Sequence, residues 1–359
     1  MTAIPVEGAT IAERRTGPNL YAAFDASLRR DTSLSRRSAV LQTFGGAGPD
    51  GGPRFDSDVP PGGYLWWYVD AQSDCGRYGL TLITFIGSVF SPYYAWSGWA
   101  DPFNHCAVNL ALYRLDGGAG RWAMTERPER RLDRDASHIS IGPSSLSWEG
   151  GVLTARIDEV SNPLPGRLRG TIRLHPEALT RRAFSLDAAG DHVWQPLAPR
   201  ARVEVAFDTP GISWNGDGYF DTNHGSEPLE ARFHRWDWSR AHTQDDVLLF
   251  YDVDRLDGAR HELALRVSRS GEIERVLAPP AQALPRTLWG VDRKARSDAG
   301  ARLKVARTLE DTPFYSRSAL SGDIFGRPAS IWHESLMLDR FSNPVVRCLL
   351  PFRMPRMPW

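Results

Sequence analysis

From Gly62 onward the chain is written in short runs rich in aromatic and β-branched residues, cut by Gly, Pro, Asp and Asn about every ten residues. That punctuation constrains the fold more than any other feature. It is the signature of an all-β sandwich or barrel, because each run is long enough for one strand and each break carries turn chemistry. Strands are expected over 64–70, 78–89, 106–113, 138–141, 152–159, 168–174, 202–207, 247–253 and 262–267, with 178–182 as a short helical candidate.

Two segments echo each other weakly, 68–77 and 251–260, each set between apolar runs and each reading as a β-hairpin. A second pair of Trp-x-Gly turns occurs at Trp148-Glu149-Gly150 and Trp214-Asn215-Gly216. With the Pro-containing stretch 194–199, these suggest a duplication. The expected organisation is a flexible N-terminal arm over 1–52 and two tandem lipocalin-like antiparallel β domains, 53–190 and 191–359, enclosing an apolar ligand cavity. The arm ends in a Gly cluster over 45–52 that follows no convincing strand and lacks a Gly-Lys-Ser/Thr ending, which reads as linker and not as a phosphate loop.

Charge excludes some classes of partner. Lys+Arg and Asp+Glu both number 43, so no basic surplus exists to neutralise a nucleic-acid backbone. Cys75, Cys106 and Cys348 are widely spaced, with no pairing pattern for a disulfide framework or a zinc site, and a reducing cytoplasm fits them. Residues 1–52 lack the apolar core of a secretory signal, and the run 78–90 is too interrupted for a spanning helix.

The aromatic residues cluster where a core does not require them. Phe90, Tyr93, Tyr94, Trp96, Trp99 and Phe103 share a stretch in which Pro92, Gly98 and Pro102 prevent a regular strand or helix. Such a loop suits an apolar ligand or a bilayer interface, or else folds back as a cover on its own barrel. Phe90, Tyr93, Tyr94, Trp96 and Trp99 are the candidate substrate-binding set. The tail, 345–359, intersperses arginines with apolar groups and ends in Trp, a mixture suited to lipid headgroups, or to a terminal strand with a frayed end.

The densest polar constellation is His192-Val193-Trp194 together with 214–225. Alternate residues of a strand share a face, so His192 and Trp194 point together, as do Tyr219 and Asp221. An imidazole, an indole, a phenol and an acid on converging faces suit proton delivery followed by shelter of a cation; turn formation and capping explain Asp and His near Gly equally simply. His224, His234, Asp237 and His242 have no fixed ligand spacing, so no metal is expected. The serines lack a GxSxG elbow. Trp236-Asp237-Trp238 with Trp214 suits sugar stacking, which keeps glycosidase chemistry as a rival.

Longer strings carry more information. Gly62-Gly63-Tyr64-Leu65-Trp66-Trp67-Tyr68-Val69-Asp70, 85–94, Asp101-Pro102-Phe103-Asn104-His105-Cys106, 122–127, Arg173-Leu174-His175-Pro176 and Arg235-Trp236-Asp237-Trp238 resemble the acyclic carotenoid 1,2-hydratases of photosynthetic bacteria, also called hydroxyneurosporene synthases. The resemblance runs from about residue 62 to about residue 265. It implies cofactor-free addition of water to the terminal C1=C2 bond of linear carotenoids such as neurosporene and lycopene, on the spheroidene and spirilloxanthin pathway. It also implies a lipocalin-like fold and peripheral attachment to the cytoplasmic side of the inner or intracytoplasmic membrane. The family's His and Trp two apart, then Tyr and Asp two apart, match His192, Trp194, Tyr219 and Asp221. Asp221 is then the expected acid, Trp194 and Tyr219 the expected cation stabilisers, and His192 a group that orients Asp221, returns its proton or positions water. The interior of the small β-barrel is the expected place for the substrate. A non-catalytic carotenoid or lipid carrier is the competing class.

Overall fold

The computed structural model describes residues 48–357, which lie in one compact unit. The arm expected over 1–52 therefore falls outside the described residues as far as residue 47. Gly52 lies so close to the Trp148 ring that a Cβ would collide with it.

Twelve strands build the first sheet: β1 (Tyr64–Ser73), β2 (Tyr78–Ile86), β3 (Cys106–Arg114), β4 (Arg121–Arg127), β5 (Leu132–Arg134), β6 (His138–Ile141), β7 (Ser144–Glu149), β8 (Val152–Val160), β9 (Arg167–Pro176), β10 (Phe184–Ser185), β11 (His192–Thr209) and β12 (Ile212–Gly225). Their order is β4-β3-β2-β1-β12-β11-β9-β8-β7-β6-β5, with β10 on β11, and the pairing is antiparallel throughout. The sheet curls almost into a barrel, and the Asn162 amide of the β8–β9 turn donates to the Trp122 carbonyl of β4 (2.8 Å).

The second sheet holds β13 (Phe233–His242), β14 (Val247–Arg255), β15 (Arg260–Val267), β16 (Ile273–Arg275), β19 (Lys304–Asp311), β20 (Tyr315–Ile324) and β21 (Arg327–Met337), in the order β16-β15-β14-β13-β21-β20-β19. The short pair β17 (Ala281–Leu284) and β18 (Arg293–Arg296) forms a separate small sheet. The chain passes between the large sheets after Gly225, so β11 and β12 belong to the first sheet although they follow residue 190. The stretch 194–199 lies inside β11, where Pro196 and Pro199 coincide with register shifts at 195/198 and 198/201. Proline is tolerated in a sheet at such bulges, because no ladder bond is lost there. The 178–182 segment is irregular, and Trp214-Asn215-Gly216 lies within β12 and makes no turn.

Alternation along β1 divides the core in two. Leu65, Trp67, Val69 and Ala71 point into the barrel beside Phe55, Phe207 and Phe220. Tyr64, Trp66 and Tyr68 point outward against Trp236, Trp238 and Tyr251 of the second sheet. β1 is therefore buried on both faces. The long strands β11 and β12 show the same effect over half their length. The part of each near Trp194 and Asp221 is buried throughout, whereas the far part alternates between buried and exposed. The barrel interior is filled by its own side chains and is not the ligand space expected from the sequence.

Trp67 is buried in the barrel, tilted against Phe55 at 4.9 Å between ring centroids. Trp67→Ala should lower unfolding free energy by about 3–5 kcal/mol through lost burial and cavity formation, read from denaturant melts. Ligand binding by the folded fraction should stay unchanged.

Candidate active site

A cavity of about 460 Å³ lies in the seam between the two large sheets. Its wall is aromatic and aliphatic, with Trp66, Phe85, Trp236, Trp238 and Leu336 among its members, and it carries the carboxyl groups of Asp221, Glu310 and Glu334. Residues from the C-terminal segment close one side. There α2 (Leu338–Phe341) and α3 (Pro344–Leu349), numbered after α1 (Pro92–Trp96), lead into a 3-10 turn over Leu350–Phe352. Val346, Leu350 and Met354 line the void, and Arg356 pairs with the buried Glu126 of β4. As far as residue 357 the tail is therefore helix and turn, with one bridge from Arg356 to Glu126, and not a terminal strand. Val346, Leu350 and Met354 cover the cavity, while Val345, Leu349 and Phe352 stay exposed.

Asp221 sits on the outward face of β12, opposite Tyr68 of β1. Its Oδ2 accepts two hydrogen bonds, from Trp194 Nε1 and from the Tyr219 hydroxyl, each 2.8 Å. Its Oδ1 is buried and has no hydrogen-bond partner among the described residues. Burial pushes the Asp221 carboxyl well above the ordinary carboxylate range, the two donors oppose that shift, and the charges of Glu334 and Asp70 add to it. With Oδ2 occupied by two donors, the proton belongs on Oδ1. The result is a neutral carboxylic acid whose O–H is left for something in the cavity.

Three of the four expected site residues therefore meet: Trp194, Tyr219 and Asp221. His192 shares the outward face with Trp194 but does not reach Asp221. Its Nδ1 lies 2.9 Å from the Tyr64 hydroxyl, its Nε2 is 3.5 Å from Glu227 Oε1, and its ring packs on Phe233. Burial and the nearby Arg232 lower its pKa to about 3, so the imidazole is neutral. The expectation that it orients Asp221 by direct contact is corrected. Two residues along a strand are about 6–7 Å apart, and the two rings find partners on different neighbours.

Of the five aromatic residues assigned to substrate, Phe90 lines the cavity. The loop is more ordered than its prolines suggested. Pro92 occupies the first helical turn of α1 and Ser91 caps it, accepting from the Tyr94 amide at 3.0 Å, where a missing proline N–H costs nothing. This helix turns Tyr94 inward to donate to the Gly63 carbonyl (2.9 Å) and places Trp99 against Tyr94. Tyr93 reaches the Met354 carbonyl (3.4 Å), and Trp96 remains 53% exposed. These four hold the loop and the tail in place.

Glu334, Glu310, Tyr251, Trp236 and Trp238 line the cavity and were not assigned to it from the sequence. The Trp236-Asp237-Trp238 string held a signal. Alternation turns both indoles into the seam, while Asp237 on the other face pairs with Arg235 (2.8 Å). Glu334 left a fainter one, an acid on the strand face that it shares with Trp332 and Leu336. No cluster able to hold a metal ion occurs among the described residues, and none of their helices is long and apolar enough to cross a membrane.

Known proteins resemble this chain at two levels, sequence and fold. The family described as carotenoid hydratase CrtC matches residues 82–359. The acyclic carotenoid 1,2-hydratase of Thiocapsa roseopersicina is 51% identical over 88% of this chain and 78% of its own length. That of Rubrivivax gelatinosus is 49% identical over 85% and 76%. Among solved structures, an AttH protein of Nitrosomonas europaea superposes with a TM-score of 0.53 at 15% identity, covering 76% of this chain and 92% of its own. Kievitone hydratase from Nectria haematococca gives 0.50 at 12% identity, over 82% and 96%. At these identities the likeness is one of fold.

Replacing Trp194 or Tyr219 by Phe removes one donor that favours the ionised acid, so the Asp221 ionisation should move further upward, seen as its carboxylic C=O band persisting to higher pH. The folded chain holds the Asp221 proton far above the value of about 3.9 for an unfolded aspartate. Its stabilising contribution is complete below that value and declines as pH rises toward the folded pKa. The thermal midpoint of Asp221→Asn should therefore rise relative to the parent as pH increases above about 4.

Proposed function

Because this chain belongs to the carotenoid hydratase family, we propose that it adds water across the terminal C1=C2 double bond of a linear carotenoid, neurosporene, lycopene or a derivative, with Asp221 as the acid and no cofactor. One observation carries the mechanism: a buried carboxyl whose Oδ2 accepts from Trp194 and Tyr219 and whose Oδ1 is unpartnered in an aromatic cavity.

Proton transfer from Asp221 Oδ1 to C2 leaves the positive charge on the more substituted C1, where a tertiary cation is stabilised by its alkyl groups. Water then attacks C1, and loss of its proton gives a tertiary alcohol. The addition exchanges no electrons, so acid and water suffice. Positioned proton transfer contributes roughly 10²–10⁴-fold. Once Asp221 has given up its proton, the carboxylate is held by the same two donors and faces the cation across a dry site. Trp236, Trp238 and Tyr251 line the cavity and offer their rings to that cation, each interaction being worth about 0.5–2 kcal/mol when desolvated.

A polyene has negligible water solubility, and delivery from a bilayer is part of the same proposal. Next to the cavity wall, Leu288, Trp289, Val345, Leu349 and Phe352 are all exposed, Leu288 fully so and Phe352 at 78%. Arg340, Arg347 and Arg353 stand among them. That mixture suits the headgroup boundary. The placement is peripheral, on the cytoplasmic side, where the unpaired thiols Cys75, Cys106 and Cys348 are stable.

Incubation with lycopene or neurosporene in liposomes made in ¹⁸O-water should yield a labelled tertiary alcohol. Asp221→Asn should reduce it by at least about 10²-fold while leaving the circular dichroism unchanged. Bound but unreacted carotenoid in the parent would instead favour a carrier. Replacing Leu288 and Phe352 together by Asp should lower co-sedimentation with liposomes without lowering turnover of a detergent-solubilised substrate.

A further inference from the structure

The acid accounts for one proton of the reaction, and the attacking water carries another that must leave. On the opposite wall of the cavity from Asp221, β21 presents Glu334. The two carboxyl groups share neighbours. Tyr68 is the cross-strand partner of Asp221, and its hydroxyl lies 2.9 Å from Glu334 Oε1. Trp238 is the cross-strand partner of Glu334, and its ring is 5.4 Å from that of Tyr219, which holds Asp221.

Their surroundings are opposite in charge. Asp221 accepts from two neutral donors and has no cation bonded to it. Glu334 is paired with Arg317, a guanidinium buried to zero exposure, and is hydrogen-bonded by Tyr315. Burial raises both pKa values, but what opposes the rise differs: a neutral indole and phenol at Asp221, and the Arg317 guanidinium first of all at Glu334. A carboxyl held by neutral donors that faces, across one cavity, a carboxyl paired with a guanidinium is an arrangement able to divide acid from base within one site.

We propose that Glu334 is the general base of the hydration, taking the proton from water as its oxygen bonds to C1. This deepens the hydration reading above and rests on it. Asp221 gives its proton to C2, the π bond breaks, and the C1 cation forms between the two walls. Water forms the C1–O bond while its proton passes to the Glu334 carboxylate. Transfer of that proton back to the Asp221 carboxylate restores both groups, and the sum is alkene plus water to alcohol. The negative Glu334 also lowers the energy of the cation before water adds.

The test separates protonation from water attack. In D₂O, a cation that forms but is not captured loses a proton again and returns as deuterated carotenoid. Glu334→Gln should lower alcohol formation by roughly 10²–10⁴-fold, while the recovered carotenoid still gains deuterium, at a rate lowered far less than hydration is. Asp221→Asn should lose both. Glu334→Asp keeps the charge next to Arg317 but withdraws the carboxylate by one methylene, so it should show the same split with a loss of about 10²-fold. This variant decides the matter if Glu334→Gln does not fold. Parental hydration by either variant, or loss of deuterium uptake together with hydration in a folded protein, overturns the assignment of the base. A parent that neither hydrates nor exchanges overturns the hydration reading itself and the base with it.

Discussion

The structure depends on the double burial of β1 and of the adjoining halves of β11 and β12. One face of this strip closes the barrel core around Trp67, Phe207 and Phe220, and the other is covered by the second sheet through Trp236, Trp238 and Tyr251. Burial on both sides removes water from every polar group on the strip, so each needs a partner or changes its charge. Asp70 is matched by Arg240, and Tyr68 by Glu334 and Asp70. Asp221 receives neutral donors on one oxygen and none on the other, and it answers the missing cation by keeping its proton.

That electrostatic outcome links fold and chemistry. An exposed aspartate is ionised at neutral pH and is a poor acid toward an alkene. The same side chain, pressed between two sheets, becomes a carboxylic acid because desolvation outweighs the donors that favour its anion. Glu334, a few rings away in the same seam, is paired instead with the buried guanidinium of Arg317. The tail completes the arrangement. Met354, Leu350 and Val346 shut the side left open between the sheets, and the Arg356–Glu126 pair ties the chain end to β4. Leu288, Val345, Leu349 and Phe352 are left as exposed apolar surface.

Much of this was legible in the residues. The strands expected over 138–141, 152–159 and 247–253 all lie within observed strands, because turn chemistry and alternation are local properties. The pairing of Tyr219 with Asp221 on one face needed only the two-residue period, as did the shared facing of His192 and Trp194. The aromatic loop was misjudged in its detail, since six rings between prolines say nothing about a Ser91 cap that makes a helix and turns Tyr94 inward. His192 was grouped with Asp221 because shared facing is visible along a strand, while the choice between Asp221 and Tyr64 as its partner is not.

The sequence by itself determined an all-β chain, its family, and an acid that shares a strand face with a phenol. These follow from periodicity, turn residues and long strings, which are written in consecutive positions. Only the tertiary structure decided that the cavity lies outside the barrel, that Glu334 and the C-terminal residues help wall it, and that His192 stands aside. Each of those depends on which surfaces meet between segments more than a hundred residues apart, as Tyr68 meets Glu334, and on the water such meetings exclude. Contact and desolvation are properties of the packed pair, and neither partner's neighbours in the chain record them.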